Sequence, residues 1–439
     1  MLKKMIEKIQ ILVSRFSTTK AIMAMKDGIM LTLPLTIVGS VFLLLRNMPI
    51  ASWDGWMSAI FGSNWKEPLG HISGSTFDIM AIVAVMGIAY YYVKNENEKY
   101  KPLSAAVLSL VNFLALIPNY TNVTVDETVT VIDSVIPKGW TGGQGMVGAI
   151  LIGLATGYLY TLIMKKGLRI KMPDTVPSGV ADAFSALIPA AILFVLDTII
   201  VIICDSLFDT TFIEAIYIIL QVPLQGLTGS FVGIVGIVVI QNILWWFGIH
   251  NSVILSCIVD PLARANGLAN QAIVDAGGTL VAGVNAHVVT ESFVMNFMNV
   301  TGAGITIGLV LCCLFMAKSK QNKTLGKLSI MSSLFNINEP VLFGFPIVLN
   351  PVMLVPFILV PLVSVIITYL AIISGFMPPF TAIEVPWTTP PIISGFILCG
   401  VRGAIVQIVI IIVSILGYLP FFKLQDKLNY QLEVNEEEK

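Results

Sequence analysis

Charge is scarce in this chain. Asp, Glu, Lys and Arg make up 12% of its 439 residues, about half the usual share in soluble domains. So few charges could not cover a water-exposed surface of this size, which excludes an ordinary soluble assembly of two or three domains. A net charge of −1 supplies no basic field, and no nucleic-acid partner is expected. The five cysteines, Cys204, Cys257, Cys312, Cys313 and Cys399, all lie in apolar stretches. Their spacing fits neither metal ligation nor a secreted disulfide framework. They read as small apolar side chains within helices, so neither a metal nor a cofactor is expected. No signal peptide precedes the first apolar run. Residues 1–20 instead place Leu2, Met5, Ile6, Ile9, Leu12, Val13 and Phe16 on one helical face, with Lys3, Lys4, Lys8, Arg15 and Lys20 among or opposite them. That pattern predicts an interfacial helix on the cytoplasmic leaflet.

Apolar residues are abundant, at 56% of the chain with a mean hydropathy of +0.88. Lipid is the solvent that accepts such a surface, and crossing its core takes about 20 helical residues. Nine runs qualify: 27–46, 76–93, 103–119, 145–164, 186–206, 230–247, 304–317, 351–374 and 403–420. Lysine and arginine cluster at 94–101, 165–171 and 318–327, which assigns these loops to the cytoplasm. The intervening loops are poor in both. Within 120–144, the alternating stretch Thr121 to Ile132 predicts a small external hairpin around Asp126 and Glu127. Placing 318–327 inside requires a further crossing after residue 250, best supplied by 278–298. The expectation is ten spans with both termini cytoplasmic.

Residues 328–350 and 378–396 are apolar but broken by proline, glycine and asparagine. Irregular backbone at membrane depth survives only where protein or a water-filled cavity satisfies it. Interrupted segments of this kind point to a transporter binding site. Both lie late in the chain, so residues 1–210 read as a scaffold half and 211–439 as a substrate-binding half.

An ionisable side chain at mid-bilayer costs about 2.5–3.5 kcal/mol on insertion scales, so each needs a reason. His250 follows Trp245 and Trp246 where a long span stops, offering an apolar platform and a hydrogen-bonding group suited to a sugar. Glu339 lies with Asn336 and Asn338 in a run closed by Pro340. Asp260 precedes Arg264 by four residues and is expected to pair with it on a helix, which leaves Glu339 free for a sugar hydroxyl. Asparagine amides both donate and accept, which suits hydroxyls. His287 and Glu291, four apart, are expected to share a helix face with Asn285 near them, for mutual hydrogen bonding or substrate contact alike. Trp387 is placed to stack on a sugar or to sit at the interface. Asp78, Asp182, Asp197 and Asp205 read as solvated or structural.

Phe335–Gly344, the Pro346–Pro351 run that follows, Val385-Pro386-Trp387-Thr388 and the Pro173–Pro189 stretch resemble the membrane-embedded enzyme IIC of bacterial sugar phosphotransferase systems, in the lactose/cellobiose/diacetylchitobiose branch. The resemblance spans essentially the whole chain. It implies an all-α integral membrane protein of ten transmembrane helices plus two re-entrant hairpins, a homodimer joined through its N-terminal halves in the bacterial cell membrane. It implies a β-linked disaccharide of diacetylchitobiose or cellobiose type, bound in a deep pocket of the C-terminal half and carried by movement of that half against the dimer core. A cytoplasmic enzyme IIB bearing phosphocysteine then phosphorylates the sugar. His250 and Glu339 become the pocket's polar residues, with Glu339 beside the accepting hydroxyl as the catalytic group. Asn338, Trp245, Trp387, His287 and Glu291 complete the expected substrate contacts. No IIA or IIB domain is evident, so phosphorylated IIB is expected as a separate polypeptide, docking on the basic loops. The competing class is an ion-coupled secondary transporter with Glu339 and His250 as a proton relay, which an inverted repeat would favour and none is visible. A membrane-embedded enzyme would need an acidic metal pair or a large catalytic loop, and neither is present.

Overall fold

The computed structural model describes residues 19–46, 48, 52–125, 128–173, 175–247, 258–345 and 347–437. The interfacial helix expected over residues 1–20 falls, apart from its last two residues, outside these, and so does His250.

The first half of the chain follows the apolar runs. The run at 27–46 becomes α1 (Lys20–Met30) and α2 (Leu33–Arg46), divided at Leu31-Thr32. After α3 (Trp53–Phe61), α4 (Lys66–Phe77) leads through a short break into α5 (Met80–Glu96). Next come α6 (Pro102–Leu116), α7 (Met146–Lys165) and α8 (Ser178–Phe208). Small residues let these helices close on one another, because lipid supplies no hydrophobic drive between them. A Cβ on Gly28 of α1 would stand 2.4 Å from the Ile88 backbone of α5. The alternating stretch forms the expected hairpin, β1 (Tyr120–Val125) antiparallel to β2 (Thr128–Asp133), with Tyr120 opposite Asp133.

Ion pairs sort the loops onto two faces. Glu96, at the end of α5, pairs with both Lys20 and Lys165, and Lys101 pairs with Asp182 at 2.9 Å. The basic segments 94–101 and 165–171 therefore share a face. At the start of α5, Asp78 meets Lys138 at 3.2 Å. On that side too, Lys66 bonds to Asp54 at 2.9 Å and holds its carboxyl below the usual range. Asp78 and Asp182 are thus structural ion-pair members, as expected. Asp197, 8% exposed, is beside Asn112.

The second half departs from expectation at three places. Phe212–Gly229, called α9 here, is long and apolar enough to cross a bilayer and carries a π turn over Tyr217–Gln221. It precedes α10 (Phe231–Trp246) and the polar but buried α11 (Asp260–Asp275). The crossing expected over 278–298 is no spanning helix. Residues 276–290 form a returning loop, followed by α12 (Glu291–Phe293) and a π turn at Val294–Met298. Side-chain amides substitute for helical hydrogen bonds there. Asn270 exchanges bonds with the His287 backbone at 2.8 Å in both directions, and Asn285 accepts from Val281 N at 2.7 Å while donating to Thr279 O. This is the irregular, internally satisfied backbone a membrane interior tolerates.

The chain continues with α13 (Ile307–Met316), α14 (Lys320–Leu334), α15 (Glu339–Gly344), α16 (Pro351–Ile373) and α17 (Ile393–Glu437), which is kinked at Cys399-Gly400. The break expected over 328–350 is narrower than the sequence suggests, since α14 runs to Leu334. The second interruption holds: residues 376–392 contain no helix. Among the described residues, α1 with α2, α4 with α5, α7, α8, α9, α16 and α17 are long and apolar enough to span, and α6, α10 and α13 are shorter apolar helices. An apolar core of α10, α13, α16 and α17 side chains, including Phe357, Tyr418 and Phe422, together with Phe297 of the π turn and Phe345 after α15, fills this half.

Candidate functional site

Three non-helical segments converge at the turn between α14 and α15. Asn336 adopts a left-handed conformation, with φ of 61°, which asparagine accepts more readily than other residues with a Cβ. Its side-chain Oδ1 accepts from Thr301 N at 2.7 Å, and its Nδ2 donates to the carbonyls of Trp387 and Thr389. Asn338, 3% exposed, donates to Ala303 O at 2.6 Å. Gly302 makes this approach possible, since a Cβ there would lie 2.6 Å from the Asn338 side chain. Glu339 follows as the first residue of α15, with Pro340 in the helix's first turn, where a missing N–H costs nothing. The amide nitrogen of Asn338 is thus committed to backbone.

A buried ion cluster lies between α11 and the two irregular segments. Arg264, 7% exposed, pairs with Glu291 and reaches Glu384 at 3.6 Å, both carboxylates being 11% exposed. This corrects the expected Asp260–Arg264 pair. The returning loop carries Glu291 back against α11, while Asp260 stays at the helix start with an oxygen that has no hydrogen-bond partner among the described residues. His287 and Glu291 do not share a helix face either, because His287 lies in the loop and Glu291 opens α12. Glu384 is the functional candidate that sequence reasoning missed. Its signal was available: a carboxylate immediately before Val385-Pro386-Trp387 in an apolar segment.

Cavities separate the remaining candidates. Glu291, Glu384 and Trp387 line a small cavity of about 60 Å³ together with Leu33 and Ile37 of α2. Trp387 is 48% exposed at its rim. His287 lines a larger cavity of about 570 Å³ between the two halves, whose walls include Arg46, His71, Asp78, Lys138, Gln221 and Gln271. The Arg46–Asp275 ion pair, 3.0 Å long, joins the halves there. A void of about 10 Å³ beside Arg264 shares Phe77 and Leu268 with the larger cavity, and Glu291, Ser292 and Glu384 with the smaller one. The ion cluster therefore stands between them. Trp245 is packed in the apolar core at 5% exposure, and Trp246 donates to Asn350 O at 2.8 Å. Among the described residues no group of three or more His, Cys, Asp or Glu side chains is arranged to hold a metal.

Known proteins place this architecture. Residues 26–361 match the family described as phosphotransferase system, EIIC. The lichenan permease IIC component of Bacillus subtilis (strain 168) is 37% identical over 428 residues, covering 96% of this chain and 92% of that protein. The PTS system cellobiose-specific EIIC component of Geobacillus stearothermophilus is 36% identical over 420 residues, covering 94% and 91%. Among solved structures, the transporter ChbC, the IIC component from the N,N'-diacetylchitobiose-specific phosphotransferase system, is 35% identical. It superposes with a TM-score of 0.91 over 97% of this chain and 98% of the other. A family match over most of the chain, relatives above 30% identity along nearly their full length and a shared fold agree: the chain belongs to the EIIC family of the phosphotransferase system.

Proposed function

We propose that this protein is the membrane permease of a phosphotransferase system, taking a β-linked disaccharide of the cellobiose or diacetylchitobiose type and working with a IIB partner that phosphorylates it. The observation carrying the substrate class is the agreement among relatives named for lichenan, cellobiose and diacetylchitobiose at more than 90% coverage of this chain. A neutral sugar binds by stacking and hydrogen bonds, and phosphorylation adds a dianion that cannot return through an apolar path. The proposed site is the Asn336–Glu339 turn, with Glu339 accepting the proton of the attacking hydroxyl. His250 and the oxygen of Asn338 supply further hydrogen bonds. Trp387 offers the stacking surface, supported by its half-exposed ring at a cavity shared with Glu291. His287 and Glu291 line cavities along the same pathway and are its further contacts, and Trp245, packed in the apolar core, supports the pathway from behind. The N-terminal half serves as scaffold and homodimer interface. The apolar outward residues of α8, Val195, Ile199 and Ile202, suit lipid or a second copy.

Uptake of labelled cellobiose into vesicles, with and without phosphorylated IIB, tests the reading. Internal sugar should be phosphorylated and its accumulation should require the partner. Accumulation of free sugar driven by an ion gradient would reject it in favour of a secondary transporter.

The basic face shared by segments 94–101 and 165–171 supports a cytoplasmic side there, with both termini inside. Leu168, 47% exposed between Lys166 and Arg169, should be cytoplasmic. A single Leu168→Cys thiol is expected to react with an impermeant maleimide only after cells are opened, and labelling from outside intact cells would reverse the topology. For the stacking role, Trp387→Ala should weaken sugar binding roughly 2- to 12-fold, the equivalent of about 0.5–1.5 kcal/mol. Unchanged affinity by calorimetry would remove Trp387 from the site.

A further inference from the structure

The helical hairpin of residues 318–350, which carries Asn336, Asn338 and Glu339 at its tip, is held at both feet by one helix. Beyond its kink at Cys399-Gly400, α17 runs on to Glu437, about 55 Å of helix and far more than the roughly 30 Å hydrocarbon core. Its last turns therefore stand clear of the membrane interior, where they meet the first foot. Asp426, 4% exposed, accepts from Lys318 N at 2.8 Å, from Ser319 N at 3.3 Å and from the Asn322 amide at 2.9 Å. Glu433 accepts from Ser319 Oγ at 2.6 Å and from the Lys320 and Gln321 N–H groups at 2.9 Å each. Two carboxylates thus satisfy the orphan donors of the α14 N-terminus, where the helix dipole favours negative charge. Asn429 donates to Asn322 Oδ1 at 3.1 Å.

The other foot is reached from the same face. Gln425 donates to Asn429 at 3.1 Å and accepts from the amide of Asn350 at 3.3 Å. Asn350 caps α16, where the chain leaves the hairpin. Positions 425, 426, 429 and 433 follow the spacing of a single helical stripe. Further along α17, Tyr418 donates to Gly304 O at 2.7 Å and Ser414 donates to Ile305 O. The helix therefore also fixes the loop that receives Asn336 and Asn338.

We propose that Gln425, Asp426, Asn429 and Glu433 are positioning residues for sugar recognition, a clamp on both feet of the hairpin that keeps its tip seated. The functional half of this inference rests on the reading that the tip touches the sugar. Without the clamp, the tip is seated for a smaller fraction of the time, and apparent affinity falls by that fraction. Saturating sugar restores the seated state, so the maximal rate survives.

The test is the Asp426→Ala/Glu433→Ala double variant, with Glu433→Ala alone as a milder version should the double variant fail to fold. Phosphorylation assays with the IIB partner should show KM raised about tenfold in the double variant, for a tip seated about one tenth of the time, with kcat within about twofold. Glu433→Ala should move KM the same way by a smaller factor. A merely destabilised protein would instead lose kcat at unchanged KM, and that pattern overturns the proposal. A sugar-independent readout accompanies it: a Val341→Cys thiol just after the tip, at a position only 1% exposed while the tip is seated, labelled with maleimide in detergent. Labelling should be about ninefold faster or more in the double variant, as the unseated fraction rises from under about one tenth to about nine tenths. Labelling at the unmodified rate overturns the clamp. Faster labelling with unchanged KM supports the clamp and rejects the assignment of the tip to the sugar.

Discussion

Glu339→Gln should yield a folded protein that binds its disaccharide about 10- to 150-fold more weakly, the loss of one charge-assisted hydrogen bond worth roughly 1.5–3 kcal/mol. The residue opens α15 beside a proline, directly after a turn whose two asparagines are fixed by the 301–303 and 387–389 backbones. The asparagine bonds hold the backbone of that turn, which is why the amide variant should fold. Glutamine keeps one acceptor oxygen but presents a donor in place of the other. It also cannot take a proton from the attacking hydroxyl. Single-turnover phosphorylation at saturating sugar should therefore slow by about a hundredfold or more, the usual contribution of a general base. Sugar binding to the purified, monodisperse variant, followed by phosphoryl transfer from the IIB partner, measures both effects separately. Wild-type values in both assays would move the catalytic role elsewhere, first to the Glu291 region. Weaker binding with normal transfer would leave Glu339 as a recognition residue only.

The spanning helices could be read from the sequence because lipid imposes a single demand, a long apolar run, and α4 with α5, α7, α8, α16 and α17 meet it. Alternation alone marked the β1–β2 hairpin. The errors have a common physical source. Residues 278–298 contain Val281, Val284, Val288 and Val289, so their mean apolarity imitates a span. Gly277 and Gly283, both with positive φ, and the Asn270 and Asn285 side chains instead stabilise a returning loop. Conversely, Gln221, Pro223, Gln225 and Gly226 dilute the run that becomes α9, although Gln221 is buried and bonded to Gly143 O at 3.1 Å. Helical spacing suggested Asp260 for Arg264 and could not reveal that a hairpin brings Glu291 back from 27 residues away. At the proposed site, the polar run Asn336 to Glu339 was evident. Its partners, Thr301, Ala303, Trp387 and Thr389, are distant in sequence and became apparent only in the fold.

The ion cluster of Arg264, Glu291 and Glu384 supports the second large prediction. Arg264→Met should destabilise the protein by about 3–5 kcal/mol, because removing one partner of a buried ion network leaves uncompensated charge. Here the guanidinium faces two carboxylates, each 11% exposed, and Asp260 lies nearby at 8%. The loss should therefore fall toward the upper end of that range. The triple variant Arg264→Met/Glu291→Gln/Glu384→Gln should recover most of it, since replacing an entire buried network by neutral groups of similar volume is often neutral. Denaturant or thermal unfolding in a fixed detergent measures both. Near-wild-type stability of Arg264→Met would show that the cluster is hydrated and of little structural weight. The triple variant also separates scaffold from function. Because the cluster stands between the large cavity and the one bearing Trp387, a purely structural role predicts a refolded protein that binds and conducts sugar normally. If Glu291 contacts the sugar, the same refolded protein should lose affinity by the 10-fold or so that a charged hydrogen bond contributes. Recovered stability with full affinity would remove Glu291 from the list of substrate contacts and leave it, with Glu384, as the partner that holds Arg264 in place.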